Sequence, residues 1–239
     1  MKKEQENNRE PKKTKPVHEG HRARMRERYL KTGLNGFQAH EMLEMLLFYA
    51  IPRKDTNALA HSLLDRFGSL ERVFAAEPHL LKAIPGMNGN AVVLFRMLRD
   101  LYHHQIIDSQ LHTPLGSGQL AGAFFSRLYQ YEQREIIRAA FLDDQLRLLN
   151  CVVVDEGHPT ASELYIRQLT DEAVQSSGNL LILAHNHPQG RLAASAKDIS
   201  ATRLLAAGLR RSGISMVDHI ILAGGEFISL REKGVFIGV

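Results

Sequence analysis

Residues 180–188, LLILAHNHP, run five apolar side chains straight into a histidine, an asparagine, a second histidine and a proline. A short continuous apolar run closed by a turn residue reads as a strand buried on both faces. Side chains alternate across a strand, so His185 and His187, at i and i+2, share one face at its C-terminal end. Pro188 cannot donate to a ladder and stops the strand there. Two imidazoles delivered side by side by a buried strand are a good start for a zinc site.

Ten residues after Pro188 stands Asp198, in Ser195-Ala196-Lys197-Asp198. Residues Ala196–Arg211 carry a helical pattern, Ser195 fits as its N-cap, and Asp198 then lies in the first turn, where a carboxylate is favoured by the helix dipole. From there it reaches back toward the histidines as a third ligand. Two histidines, one aspartate and a water make the open four-coordinate arrangement of catalytic zinc sites, whereas a structural site fills the fourth position with protein. Each feature alone has a plain structural explanation, as satisfied core histidines or helix caps. All of them together, after a buried strand and before a helix, favour a metal.

Working outward, two apolar runs, Ile136–Leu142 and Leu146–Val154, flank Asp143-Asp144-Gln145 as a hairpin. Gln119–Tyr131 and Asp171–Ser177 read as helices, and Ile214–Leu222 and Glu226–Leu230 as strands around Ala223-Gly224-Gly225. Strands interleaved with a few helices give an α/β or α+β domain over 117–239, a mixed sheet flanked by helices. Before it, the pattern is helical from His21 to His104. Met42, Leu43, Met45, Leu46 and Leu47 form one stripe, Gly68 takes a helix C-cap position, and Ser69 caps the next helix. The expected organisation is a disordered basic tail at 1–20, a small all-α domain at 21–105, a linker at 106–116, where Pro114, Gly116 and Ser117 break periodicity, and the α/β domain at 117–239.

The balance of 44% hydrophobic and 23% charged residues among 239 is that of an ordinary globular protein, with no apolar run long enough to span a membrane. The N-terminus has charge without an apolar stretch behind it, so it is not a secretory signal. A lone cysteine, Cys151, excludes an internal disulfide and any multi-cysteine zinc module, and reads as a small core residue. These features place the chain in the cytoplasm. Residues 1–28 hold ten Lys or Arg against five Glu, so the remaining 211 residues carry about −1 of the whole-chain +4. Such a tail is a solvated extension or a contact for a phosphate backbone. The turn Pro85–Asn90 between two helical stretches has the outline of a helix-hairpin-helix, which either packs the hairpin or offers backbone N–H groups to DNA. His103, His104, His112 and His158 read as surface or linker residues. Asp218-His219, two residues into a strand, serves as a hydrogen-bonded support for the metal site or as a buried structural pair.

The spacing His185-x-His187-x₇-Ser195-x-x-Asp198 resembles the JAMM (MPN+) metalloprotease motif, and the text around it, LILAHNHPQG and VDHIILAGGEFISLREKGVF, is similar to the RadC family within that group. The resemblance covers about residues 20–239. It implies a cytidine-deaminase-like mixed sheet, a Zn2+ ion held by His185, His187 and Asp198, and hydrolysis of a peptide or isopeptide bond in a peptide or protein substrate. It also implies that Glu135, at the head of the first strand, acts as the base for the attacking water, with Glu156 and Glu163 as competing carboxylates. Ser195 would donate to the tetrahedral oxyanion. A DNA-repair association attaches to the family name, so a DNA-associated protein whose metal domain is a binding scaffold is the alternative, with contact through the tail and the Pro85–Asn90 turn. The chain departs from the family pattern at Gln189, where serine is common, at Tyr165-Ile166-Arg167-Gln168, which replaces His-Pro-Arg-Glu, and at Ala194, where proline is common. None of these removes a metal ligand; they bear on the substrate groove.

Overall fold

The computed structural model describes residues 20–130, 132–156 and 163–235. All but the last residue of the expected tail at 1–20, and residues 157–162 with His158, lie outside the described residues, as do the side chains of Glu156 and Glu163. The chain divides into two compact units, Met1–Phe95 and Arg96–Val239.

The first unit is helical: α1 (His21–Thr32), α2 (Ala39–Ala50), α3 (Asn57–Phe67), α4 (Leu70–Ala75), α5 (Pro78–Lys82) and the start of α6 (Gly89–Asp108). The expected stripe of α2 supplies Leu43 and Leu47 to a core with Leu63, Val73, Leu81 and Phe95. Gly68 ends α3 with φ +88°, a left-handed conformation that favours glycine, and its N–H donates to Leu64 O at 2.7 Å. Ser69 caps α4 by accepting from Arg72 N at 3.3 Å. In the hairpin turn, Asn88 accepts from Ala91 N at 2.8 Å, capping α6, and donates through Nδ2 to Ala50 O at 3.1 Å. Met87 packs against the same core.

The second unit holds the rest of α6, α7 (Gly118–Leu128), β1 (Ile136–Leu142), β2 (Leu148–Glu156), α8 (Glu163–Ser176), β3 (Leu180–Asn186), α9 (Ala196–Arg211), β4 (Ser215–Ala223) and β5 (Glu226–Ser229). The strands form one mixed sheet in the order β2-β1-β3-β4-β5. β1 is antiparallel to β2 and β3, β3 is parallel to β4, and β5 is antiparallel to β4. The parallel step requires a crossover, and α9 provides it. β1 is buried on both faces: Ile136, Ala140 and Leu142 meet Phe124, Phe125 and Leu128 of α7, while Ile137, Ala139 and Phe141 meet Tyr165 and Leu169 of α8 and Leu205 and Leu209 of α9. The result is an α+β domain, a sheet between helices. Among the described residues no helix is long and apolar enough to cross a membrane.

The larger departures from the sequence expectation fall in three places. β2 begins at Leu148, because Leu146 has φ +61° and belongs to a turn in which Asp143 Oδ1 accepts from Gln145 N and Arg147 N, each at 2.9 Å. α8 begins at Glu163 rather than near Asp171. The stretch read as a linker, 106–116, is docked: Ile106 and Leu115 are buried in the core against α7, and His112 N and Leu115 N donate to Leu148 O and Leu146 O.

Candidate metal centre

β3 carries His185 to the end of the sheet, fully buried, and strand geometry continues through His187, whose N–H donates to Leu222 O of β4 at 2.7 Å. The alternation expected for i and i+2 holds, and the two Nε2 atoms face each other at 2.9 Å. From the N-terminus of α9, Asp198 brings Oδ1 to 3.7 Å from His185 Nε2 and Oδ2 to 3.7 Å from His187 Nε2. A carboxylate oxygen of Glu135 and one nitrogen of each histidine all lie within 4.8 Å of one another, the one such group of three among the described residues.

Glu135 reaches this point by register. β1 and β3 pair antiparallel with Ile137 opposite His185, so the same register carried two residues further sets Glu135 across from His187. Asn186 then fixes it. Between the two histidines and pointing to the opposite face, its Oδ1 accepts from Ile136 N and its Nδ2 donates to Arg134 O, each at 2.9 Å, holding the peptides on both sides of Glu135. The buried Tyr129 hydroxyl lies 3.0 Å from Ile136 O and 2.8 Å from Ala184 O, bridging the same two strand ends. Burial raises its pKa well above the usual phenol value, so it remains a donor.

The protonation pattern suits a cation. His187 Nδ1 lies 3.3 Å from Arg191 O, and since a carbonyl only accepts, this contact is made by an Nδ1–H and leaves Nε2 for the centre. It faces His185 Nε2 at 2.9 Å, a spacing that calls for a proton or a metal cation between the two nitrogens, with the Asp198 carboxylate beside both. Burial works against a charged Asp198, yet bonds with the side chain and backbone of Ser195, followed by the two histidines, outweigh it and hold the pKa below the ordinary carboxylate value. Two imidazole nitrogens and two carboxylates are a donor set zinc accepts, at about 2.0–2.2 Å per bond.

A family model described as the RadC-like JAB domain matches residues 116–235, half of the chain and the whole of the sheet. The chain belongs to this RadC-like family. A UPF0758 protein from Fusobacterium nucleatum is similar to it along most of its length, 30% identical over 226 residues, covering 91% of this chain and 97% of the relative. The JAB-domain family is one that includes metalloproteases, so the chain has a hydrolase-type fold.

In this RadC-like protein Ser195 is both exposed and structural. Its Oγ accepts from Asp198 N at 3.1 Å while its own N–H donates to Asp198 Oδ2 at 2.8 Å, a reciprocal capping box that aims the carboxylate. The structure divides the Asp218-His219 pair. Asp218 is spent on a knot away from the histidines, accepting from His219 N at 2.7 Å, Ser229 Oγ at 2.6 Å and Arg231 N at 3.0 Å. The His219 ring turns toward the centre, its Nε2 2.8 Å from His185 Nδ1. Burial, then the neighbouring His185 and His187, push the His219 pKa well below its usual value.

His103, expected at the surface, is buried, with Nδ1 3.3 Å from Arg138 Nη2. Cys151 is buried as expected, and burial pushes its thiol up to about 12, which makes it an inert core residue. Asn186, Tyr129 and Thr202, which support the centre, went unread in the sequence. A polar residue on the reverse side of a buried strand was the only trace of Asn186.

Proposed function

We propose that this RadC-like protein is a zinc-dependent hydrolase of peptide or isopeptide (amide) bonds, acting on a peptide or protein substrate in the cytoplasm. The observation that carries the reading is the convergence of two Nε2 atoms 2.9 Å apart with the carboxylates of Asp198 and Glu135 at one sheet end. Two imidazole nitrogens that close, with carboxylates beside them, favour a cation between them. His185, His187 and Asp198 would hold it. When bound, zinc lowers the pKa of water toward about 7 and polarises the scissile carbonyl.

The remaining chemistry falls to the chain. Glu135, held from both sides by Asn186, takes the proton of the attacking water on its carboxylate and returns it to the leaving amine. The Ser195 hydroxyl uses its oxygen to cap α9, which leaves its proton to donate to the oxyanion. A substrate reaches these groups from outside: a hollow of about 500 Å³ lined by Arg127, Gln130, Asn186, His187 and Gly224 adjoins a second, of about 370 Å³, that contains Glu135, and the two share Gln133, His187 and Pro188. A Glu135→Gln variant is expected to retain zinc and to lose turnover on a panel of fluorogenic peptides and isopeptides. Equal turnover by wild type and variant would remove Glu135 from the reaction.

The first unit supports a second reading, a DNA-associated role in which the metal domain is a scaffold. Arg26, Arg53 and Lys54 border one hollow of about 500 Å³ there, although Arg22 beside them spends its guanidinium on the carbonyls of Ile51, Pro52 and Lys54. Phosphate contact of this kind predicts duplex binding that falls steeply with salt and weakens on deletion of residues 1–28. Absence of binding at low salt would end this reading.

A further inference from the structure

We infer that Thr202 is a positioning residue for the metal: acting through His219, it sets which nitrogen of His185 carries the proton. The inference rests on the hydrolase reading for its purpose, but its geometry stands on its own. Thr202, His219 and His185 are each fully buried.

The chain of bonds starts on α9. Thr202 Oγ1 lies 2.6 Å from Asp198 O, one helical turn back. Two oxygens that close need a proton between them, and only the hydroxyl has one to give. The same Oγ1 lies 2.7 Å from His219 Nδ1. With its single proton committed to the carbonyl, Thr202 can only accept there, so His219 carries its proton on Nδ1. An imidazolium at this buried position would lack a paired carboxylate, because the Asp218 oxygens are taken up by His219 N, Ser229 and Arg231. His219 Nε2 is therefore a lone pair, and at 2.8 Å it accepts from His185 Nδ1–H. The last link leaves His185 Nε2 unprotonated, aimed at His187 Nε2 and Asp198.

One hydroxyl thus ties the helix turn that carries Asp198 to the tautomer of a histidine on β3. The opposite sequence of tautomers would put a proton on His185 Nε2, in the place a metal occupies. Outer partners that fix a ligand histidine in this way are worth about 10–100-fold in metal affinity.

The test uses the full chain with ¹⁵N-labelled histidine. Two-bond ¹H–¹⁵N spectra of the metal-free protein are expected to show His185 and His219 both protonated on Nδ1; either ring protonated on Nε2 overturns the inference. Thr202→Val is expected to weaken zinc binding by about 10–100-fold in competition with a chromophoric chelator, and Thr202→Ser to restore it. Zinc binding by Thr202→Val equal to wild type also overturns it. If the valine variant does not fold, the wild-type spectrum decides alone. Because that spectrum is recorded without metal, a failed relay is distinguishable from a protein that takes up no zinc, which would contradict the hydrolase reading instead.

Discussion

At the scale of single residues, the centre depends on side chains that do no chemistry. Asn186 is the clearest: it stands between the two histidines in sequence and holds Glu135 in space through Ile136 N and Arg134 O. Asn186→Leu keeps the volume and abandons both bonds, leaving a buried donor unmet at a cost of about 1–3 kcal/mol. Denaturant titration should show that loss, and turnover should fall more than tenfold as Glu135 loosens; unchanged stability would mean the amide is not holding the strand end. The histidines, Asp198 and Ser195 were legible because their spacing in a linear motif survives folding. Asn186 and Thr202 were not, since their partners lie 50 and 17 residues away and appear only once β1 and β4 are in place.

At the scale of elements, the N-terminus of α9 is capped by one pair of side chains to which the proposed mechanism gives a second job. Ser195→Ala removes the cap, about 1 kcal/mol of stability, and on the proposed mechanism removes an oxyanion donor, about 10²–10³-fold in turnover. Ser195→Thr should retain both. A turnover loss no larger than the cap accounts for would restrict Ser195 to structure. The packing of α7 offers a separate check. A Cβ on Gly122 would come within 2.2 Å of the Phe227 ring, so Gly122→Ala forces the ring or the helix to move, at a cost of about 1–3 kcal/mol read as a lower midpoint in denaturant. Element types were readable from apolar runs, as in β1 and β3. Their ends were less so: Leu146 is apolar and looked like strand, yet its positive φ puts it in the turn that Asp143 organises.

At the scale of the whole molecule, buried histidines make stability depend on pH. Burial, then the charges of Arg138 and Arg99, lower the His103 pKa from 6.5 to about 4. Between those values the unfolded chain binds a proton that the folded chain refuses, so stability is complete above pH 6.5 and falls as pH drops toward 4. His219 acts in the same direction. Thermal midpoints should decline through that window, and His103→Gln should flatten the decline; an unchanged slope would assign the acid sensitivity elsewhere. The α+β class of the sheet domain followed from patterning, whereas the strand order did not. β1 lies between β2 and β3 with all seven residues buried, and its antiparallel pairing with β3 across α8 is a long-range choice that no local signal states. That pairing is what sets Glu135 opposite His187, and on it the proposed metal centre depends. The most direct test is the metal content of purified wild type beside the His185→Ala/His187→Ala double variant. One zinc per wild-type chain, lost in the variant, is the expected result. A folded wild type that carries no metal, and takes up none when zinc is supplied, would contradict the metal centre.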